Sequence, residues 1–294
     1  TGGYQAKPCH VNGSWWHACD KLFCMDPFSA TLSLIVPCFN EASRMQGCID
    51  GILKFLDSLD TEIEVILVDD GSTDGTAELA ETLGASLSNF RVLRRPHHGK
   101  GAALKAGVRE STGEVVFLAD ADWSMPPSQA SRFLAPGFDS TVRIGSREAS
   151  TSRRYDEPLT RHLLGRAFNA YVRALALPGI QDSQCGFKCL PGDLARQVFA
   201  NMQTKGWAFD VELLLRVKNA GSRVEEIGID WHYDSDTRLQ PLRDAASMAW
   251  EVFRISRKLP YPASAKRSLD DNSSSASTTA SPKSSLSKRA TRSY

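Results

Sequence analysis

The stretch ILVDDGSTDGT, Ile66 to Thr76, decides the fold. An apolar run of strand length ends on two adjacent carboxylates. A turn rich in Gly, Ser and Thr then leads into the helical pattern DGTAELAETLG, Asp74 to Gly84. A strand that stays apolar without alternating has both faces covered, the habit of a parallel sheet held between helices. The pattern returns in VVFLADADWS, Val115 to Ser124, where Asp120 and Asp122 stand one residue apart after the apolar run.

Outward from there, TLSLIVP (31–37) reads as a buried strand, and EASRMQGCIDGILKFLDSL (41–59) as a helix with Ala42, Met45, Ile49, Ile52, Leu53 and Leu56 on one face. EIEVILVDD (62–70) is the next strand, followed by a helix with Asp74 as its N-cap and Gly84 at its stop. Strand FRVLRR (90–95), helix GKGAALKAGVRES (99–111) and strand GEVVFLADAD (113–122) continue the alternation. This is an α/β chain with a Rossmann-like, mostly parallel sheet flanked by helices. Ligands of such sheets gather at the carboxyl ends of the strands, which places Asp69, Asp70, Asp120 and Asp122 along one crevice.

The second half is less regular. TVRIGSRE (141–148), CGFKCLP (185–191) and RVEEIGIDWHY (223–233) read as strands, and FDVELLLRVKNAG (209–221) as a helix closed by Gly221. LTRHLLGRAFNAYVRALAL (159–177) is amphipathic, with Leu163, Leu164, Ala167, Phe168, Tyr171, Val172 and Leu175 on one face. LRDAASMAWEVFRISRKL (242–259) sets Met248, Trp250, Val252, Phe253 and Ile255 among basic residues. Packing on a core is the commoner fate of such helices; lying in a membrane surface is the other. The expected organisation is an irregular leader over 1–30, one domain over 31–260 with halves 31–125 and 126–260, and a disordered Ser-rich tail over 261–294.

A formal charge of +1 speaks against a dedicated nucleic-acid binder, which carries a basic excess. No window approaches the roughly 18 apolar residues of a membrane span. Seven scattered cysteines, an odd set, point to free thiols in a reducing compartment. In the leader, Cys9, His10, His17, Cys19 and Cys24 are ligand types whose spacing fits no common zinc pattern, and packing of Trp15 or Trp16 on the body is the plainer reading.

The chemistry lies at the strand ends. Carboxylates spaced as Asp120 and Asp122 suit a hard divalent cation, Mg2+ or Mn2+, whose shell is completed by substrate phosphate and water. RRPHHGKG brings Arg94, Arg95, His97, His98 and Lys100 to a helix start, where amides and the positive helix end favour anions. A metal and a basic helix start across one crevice describe a pyrophosphate site. Each piece alone has an ordinary alternative: D-x-D as surface charge, DDGS as a turn, and GKGAA as a loop without Walker spacing. Their placement at successive strand ends carries the reading.

IVPCFNEASRM, VDDGSTDGT, GKGAALKAG and LADADWS, in this order, resemble the nucleotide-sugar half of family 2 glycosyltransferases with the GT-A fold, a likeness covering about residues 31 to 256. The resemblance implies that Pro37, Asn40, Glu41, Asp69 and Asp70 hold the nucleoside, with Lys100 at the diphosphate and Asp120 and Asp122 on the metal. GSRE, DSQCGFK, WAFDVELL and IGIDWHYDSDTRLQP are similar to the dolichyl-phosphate β-glucosyltransferases, with Ser183 where Thr is commoner. Mannosyl-transferring relatives usually carry a segment closer to T-G-S-F-R where this chain has Gln184 to Lys188, which favours UDP-glucose over GDP-mannose.

The implied reaction moves glucose from UDP-glucose to dolichyl or another polyprenyl phosphate, inverting the anomeric centre and feeding protein N-glycosylation. The implied location is the cytosolic face of the endoplasmic reticulum membrane. Catalytic candidates are Asp122, Lys100 and Asp210, the last read equally as a helix cap. Gln184 and Trp207 are candidates for the sugar, Trp207 also for the core. Arg147, Arg161 and Lys188 are candidates for the acceptor phosphate, since a guanidinium grips phosphate in a fork. A mannosyltransferase, a transferase with a non-lipid acceptor, and a non-catalytic nucleotide-sugar binder are the alternatives.

Overall fold

The computed structural model of the chain describes residues 31–134, 141–234 and 241–263. The leader with its Cys/His set and nearly all of the tail lie outside the described residues. β1 (Leu32–Cys38), α1 (Met45–Asp57), β2 (Ile63–Asp69), α2 (Thr76–Gly84), β3 (Phe90–Arg94), α3 (Lys100–Glu110) and β4 (Val115–Leu118) follow one another as strand and helix in turn. Then come β5 (Val142–Ser146), β6 (Arg153–Tyr155), α4 (Leu159–Leu175), β7 (Lys188–Pro191), α5 (Gly192–Ala200), α6 (Phe209–Asn219), β8 (Val224–Gly228), β9 (Asp230–His232) and α7 (Pro241–Lys258).

Seven strands form one sheet in the order β3-β2-β1-β4-β7-β5-β8, and β6 pairs with β9 in a small parallel sheet. Among the described strands β7 alone runs antiparallel, to both β4 and β5. The apolar runs bury both sheet faces as read. Ile35, Ile66, Val68, Val116 and Leu118 face the layer of α3, α5 and α6. Leu34, Val36, Val65, Leu67 and Phe117 face α1 and α2, where Met45, Ile49, Ile52 and Phe55 fill the gap.

Several elements depart from the sequence reading. α2 begins one residue after Gly75, whose φ of +87° sets the turn. Asp74 is therefore not its N-cap; its carboxylate accepts from the Thr76 and Ala42 amides, each at 3.1 Å. The expected strand over 223–233 breaks at Ile229, which leaves the large sheet at β8 and enters the small one at β9. α4 forms as expected, yet of its apolar side chains only Val172 is fully buried, and Leu159 is 80% and Leu163 64% exposed. α7 buries Val252 and Ile255 but leaves Trp250 64% exposed. Among the described residues no helix is long and apolar enough to cross a membrane.

Candidate active site

Between β1 and β4 the strand order reverses, so their carboxyl ends part and leave a crevice. A cleft of about 530 Å³ opens there, within the range of small-molecule sites. Because β7 is antiparallel, its first residue pairs with the last of β4, Lys188 beside Leu118. That direction brings the 182–187 loop to the same edge as the β4 carboxylates.

The D-x-D segment is a tight turn. Trp123 takes a φ of +48°, its amide donates to the Asp120 carbonyl, and its indole N–H donates to the Cys48 carbonyl at 3.0 Å. The Asp122 carboxylate accepts from the Ser124 amide at 3.0 Å. Gly186 lies directly against Asp120: a Cβ built on it would stand 2.1 Å from the Asp120 carboxylate. Any larger residue here would force the Asp120 side chain to shift.

Lys100, in the first turn of α3, pairs with Asp120 at 2.5 Å, and its ammonium lies 5.5 Å from the Trp207 ring centroid. Burial pulls the Lys100 pKa down, but Asp120, Asp210 and Asp122 outweigh it and hold the ammonium above its usual range. Asp122 is pushed upward, first by burial and then by Asp120. Two carboxylates that repel each other in a half-closed cleft fit a divalent cation. Among the described residues no set of three His, Cys, Asp or Glu side chains could hold a metal, so a cation here takes the rest of its shell from substrate and water.

Asp210 lines the same floor. It is not the cap of α6: Ala208 holds that position, and the Asp210 carboxylate accepts from Lys188 at 2.5 Å. Burial raises the Asp210 pKa while Lys188 and Lys100 oppose the rise. Lys188 is 1% exposed and also donates to the Cys185 carbonyl. An ammonium so enclosed does not reach an acceptor phosphate, and the role expected for Lys188 is corrected to that of Asp210's buried counter-ion.

The wall expected to hold the nucleoside is more braced than the sequence suggested. Pro37, Glu41 and Asp70 line the cleft, while Asn40 and Asp69 do not. Asn40, at φ +53°, turns toward the 72–73 turn, accepting from the Thr73 amide and donating its own to Ser72, both at 2.8 Å. Asp69 points into the protein, where one oxygen accepts from the Ser72 amide and the other is buried without a partner. Neither is placed to contact a nucleoside directly. Asp70 accepts from the amides of His98 and Gly99 at 3.0 and 2.7 Å. Those amides of the α3 approach therefore hold the chain's own carboxylate, not a free anion site. Phe39 stacks on His97 with centroids 4.1 Å apart, both on the cleft wall.

On the opposite wall, Arg147 is clamped in a fork by Asp182 at 2.7 and 2.9 Å. Asp182 is fully buried; burial would raise its pKa, but Arg147 overrides that and holds it below the usual carboxylate range. With its fork filled and its face 5.4 Å from Trp231, Arg147 organises this wall rather than offering a free phosphate grip. Arg161 lines the cleft over the Tyr233 ring at 5.1 Å. Gln184 and Trp207 also line it, Trp207 40% exposed, so its core reading does not hold. Arg44, Phe39, Gly186 and Trp231 are cleft residues that the sequence reading missed. Arg44 stands three residues after Glu41 and pairs with it at 2.7 Å, a helical spacing that would have revealed it.

The family model for glycosyl transferase family 2 matches residues 33–189. The dolichyl-phosphate beta-glucosyltransferase of Dictyostelium discoideum is 32% identical over 243 residues, 76% of this chain and 73% of that protein. Its counterpart in Mus musculus is 32% identical over 245 residues, 76% of this chain and 74% of that one. Among solved structures, glucosyl-3-phosphoglycerate synthase from Mycobacterium tuberculosis, in complex with Mn2+, UDP and glucosyl-3-phosphoglycerate, aligns with a TM-score of 0.59. That alignment covers 84% of this chain and 87% of the other at 20% identity, a likeness of fold alone. Match and relatives agree with the strand order and the cleft: the chain belongs to glycosyl transferase family 2.

Proposed function

We propose that this chain transfers glucose from UDP-glucose to dolichyl phosphate, giving dolichyl β-glucosyl phosphate and UDP, at the cytosolic face of the endoplasmic reticulum membrane. The observation that carries the reading is the convergence of Asp120, Asp122 and Asp210 with Lys100 on one cleft floor at the β4 end. The relatives' names support the sugar and the acceptor.

Asp120 and Asp122 would hold the divalent cation, Mg2+ or Mn2+, which supplies charge neutralisation to the departing diphosphate. Lys100 adds a fixed positive charge at the same place, a preorganised electrostatic contribution that needs no rearrangement as charge develops. Glu41 and the Phe39–His97 stack form the wall for the nucleoside, and Trp207 offers its ring to the sugar. Asp210, oriented by Lys188, lies where the sugar or the acceptor meets the floor. A phosphate oxygen of the acceptor forms the bond to the anomeric carbon as the bond to UDP breaks, so the configuration inverts. That oxygen is already anionic at neutral pH and needs no strong base to activate it. Arg161, which lies over the Tyr233 ring at the cleft, would meet the acceptor phosphate.

A panel of UDP-glucose and GDP-mannose against dolichyl phosphate and soluble sugar acceptors tests the reading. Lipid-linked glucose should form only from UDP-glucose and dolichyl phosphate. Mannose transfer, or glucose transfer to the soluble acceptors alone, would overturn it.

A further inference from the structure

Resting on the reading of a phosphate-bearing acceptor, we propose that Arg44 is a positioning residue, a strap that ties the β1 side of the cleft to the β9 segment and fixes where the acceptor wall stands. Arg44 lies just before α1, and its side chain lines the cleft. Its Nε and Nη2 both donate to one Glu41 oxygen, at 2.8 and 2.7 Å. Its Nη1 donates to Asp234 at 2.5 Å, a partner 190 residues further along the chain. Glu41 and Asp234 are themselves cleft residues, one following β1 and the other following β9. One guanidinium thus joins the two halves of the domain.

The acceptor wall hangs on the segment that Arg44 grips. The His232 amide donates to the Ser124 carbonyl at 2.8 Å, and the Tyr233 amide to the Tyr155 carbonyl at 3.1 Å. Ser124 in turn donates its amide to Asp122. Contacts therefore run unbroken from Glu41 through Arg44, Asp234 and β9 to the D-x-D turn. Tyr233 belongs to that chain of contacts, and the Arg161 guanidinium rests 5.1 Å from its ring centroid. Where Asp234 is held decides where Tyr233, and the cation above it, can stand.

The electrostatics keep Arg44 in place. Burial works against its charge, but Glu41, Asp234 and Asp122 outweigh burial and hold the guanidinium above its usual range. The three side chains of the strap are 25%, 13% and 34% exposed, and ion pairs that reach solvent contribute little to stability. Its work lies in geometry. A planar guanidinium can grip two carboxylates at once in fixed directions, which the point charge of an ammonium cannot.

The test uses Arg44→Gln, Arg44→Lys and Asp234→Ala in the full chain. Each should raise the KM for dolichyl phosphate about tenfold, with kcat at saturating acceptor within about twofold of the wild type. Asp234→Ala leaves the Glu41 contacts intact, so the dissociation constant of UDP with Mn2+, measured by calorimetry, should stay within about twofold. The double variant Arg44→Gln/Asp234→Ala should raise the acceptor KM no further than Arg44→Gln, because both changes break one link. A wild-type KM in Arg44→Lys, or additive effects in the double variant, would overturn the proposal. Amide exchange without substrate supplies a readout that needs no transfer: peptides over 230–234 should exchange about tenfold faster in Arg44→Gln and Asp234→Ala, and peptides over β2 at the wild-type rate. Unchanged exchange over 230–234 would overturn the strap whatever the activity. Faster exchange there, with a wild type that moves no glucose to dolichyl phosphate, upholds the strap and refutes the glucosyltransferase reading.

Discussion

Asp120 and Gly186 show how closely single residues are matched in this cleft. Gly186→Ala would drive a methyl group into the Asp120 carboxylate, and a displacement of that size costs about 100-fold in rate. We expect that loss in kcat with an unchanged circular dichroism spectrum; a variant of normal activity would show that the 182–187 loop gives way and leaves Asp120 in its working position. The Asp182–Arg147 pair makes a different prediction. Both groups are buried and joined in a fork, so Asp182→Ala should destabilise the protein by about 3–5 kcal/mol in urea unfolding. The Asp182 carboxyl is depressed in the folded state, so its contribution is complete above the unfolded carboxylate pKa of about 4. It is lost as pH falls through the folded value. The wild type should therefore lose stability in acid more steeply than Asp182→Asn, and parallel pH profiles would contradict the assignment. The sequence reading placed both Asp69 and Asp70 along the crevice, yet consecutive residues of an extended chain point to opposite sides, and only Asp70 lines it. Lys188 was not readable, because its partner Asp210 lies on a different element and a lysine in a short apolar run gives no sign of burial.

At the scale of elements, α4 offers the sharpest contrast. Val172 is 1% exposed and Leu163 64%. Val172→Ala should cost about 2 kcal/mol, and Leu163→Ala no more than about 0.5 kcal/mol. Equal costs would show that α4 buries its leucine face. The free thiols of β1, α1 and the β7 region are a second check. Burial holds the Cys48 and Cys185 pKa values up at about 12. Their folded values lie above the unfolded thiol value of about 8.5, so their contribution is full below that pH and falls as pH rises beyond it. Peptide-resolved alkylation should find both unreactive near pH 8 unless the chain unfolds; rapid labelling would contradict their burial. β1, β2 and β4 were legible because an unbroken apolar run has one explanation in an α/β chain. The short α5 and three-residue β6 gave no periodicity to read, and the direction of β7 is set by pairing, which composition does not encode. α4 was recognised as amphipathic, yet a helical stripe does not say whether protein or lipid covers it.

Across the whole molecule, the strand order makes the site. Residues from β1, the turn after β2, α3, the end of β4, the loop before β7 and the start of α6 meet only because the sheet reverses its order between β1 and β4. The fold class and the family were legible from four short motifs and their order. The acceptor wall was less so, because Arg44, Trp231 and the Asp182–Arg147 clamp join segments far apart in the chain. The central claim is that Asp120 and Asp122 hold a divalent cation against a departing UDP. Its most direct test is glucosyl transfer from UDP-glucose to dolichyl phosphate, measured with and without a chelator, in the wild type and in Asp122→Asn. The account predicts lipid-linked glucose and UDP in equal amounts, abolished by chelator, restored by Mg2+ or Mn2+, and reduced more than about 100-fold in the variant. Undiminished transfer in chelator, or in Asp122→Asn, would contradict it.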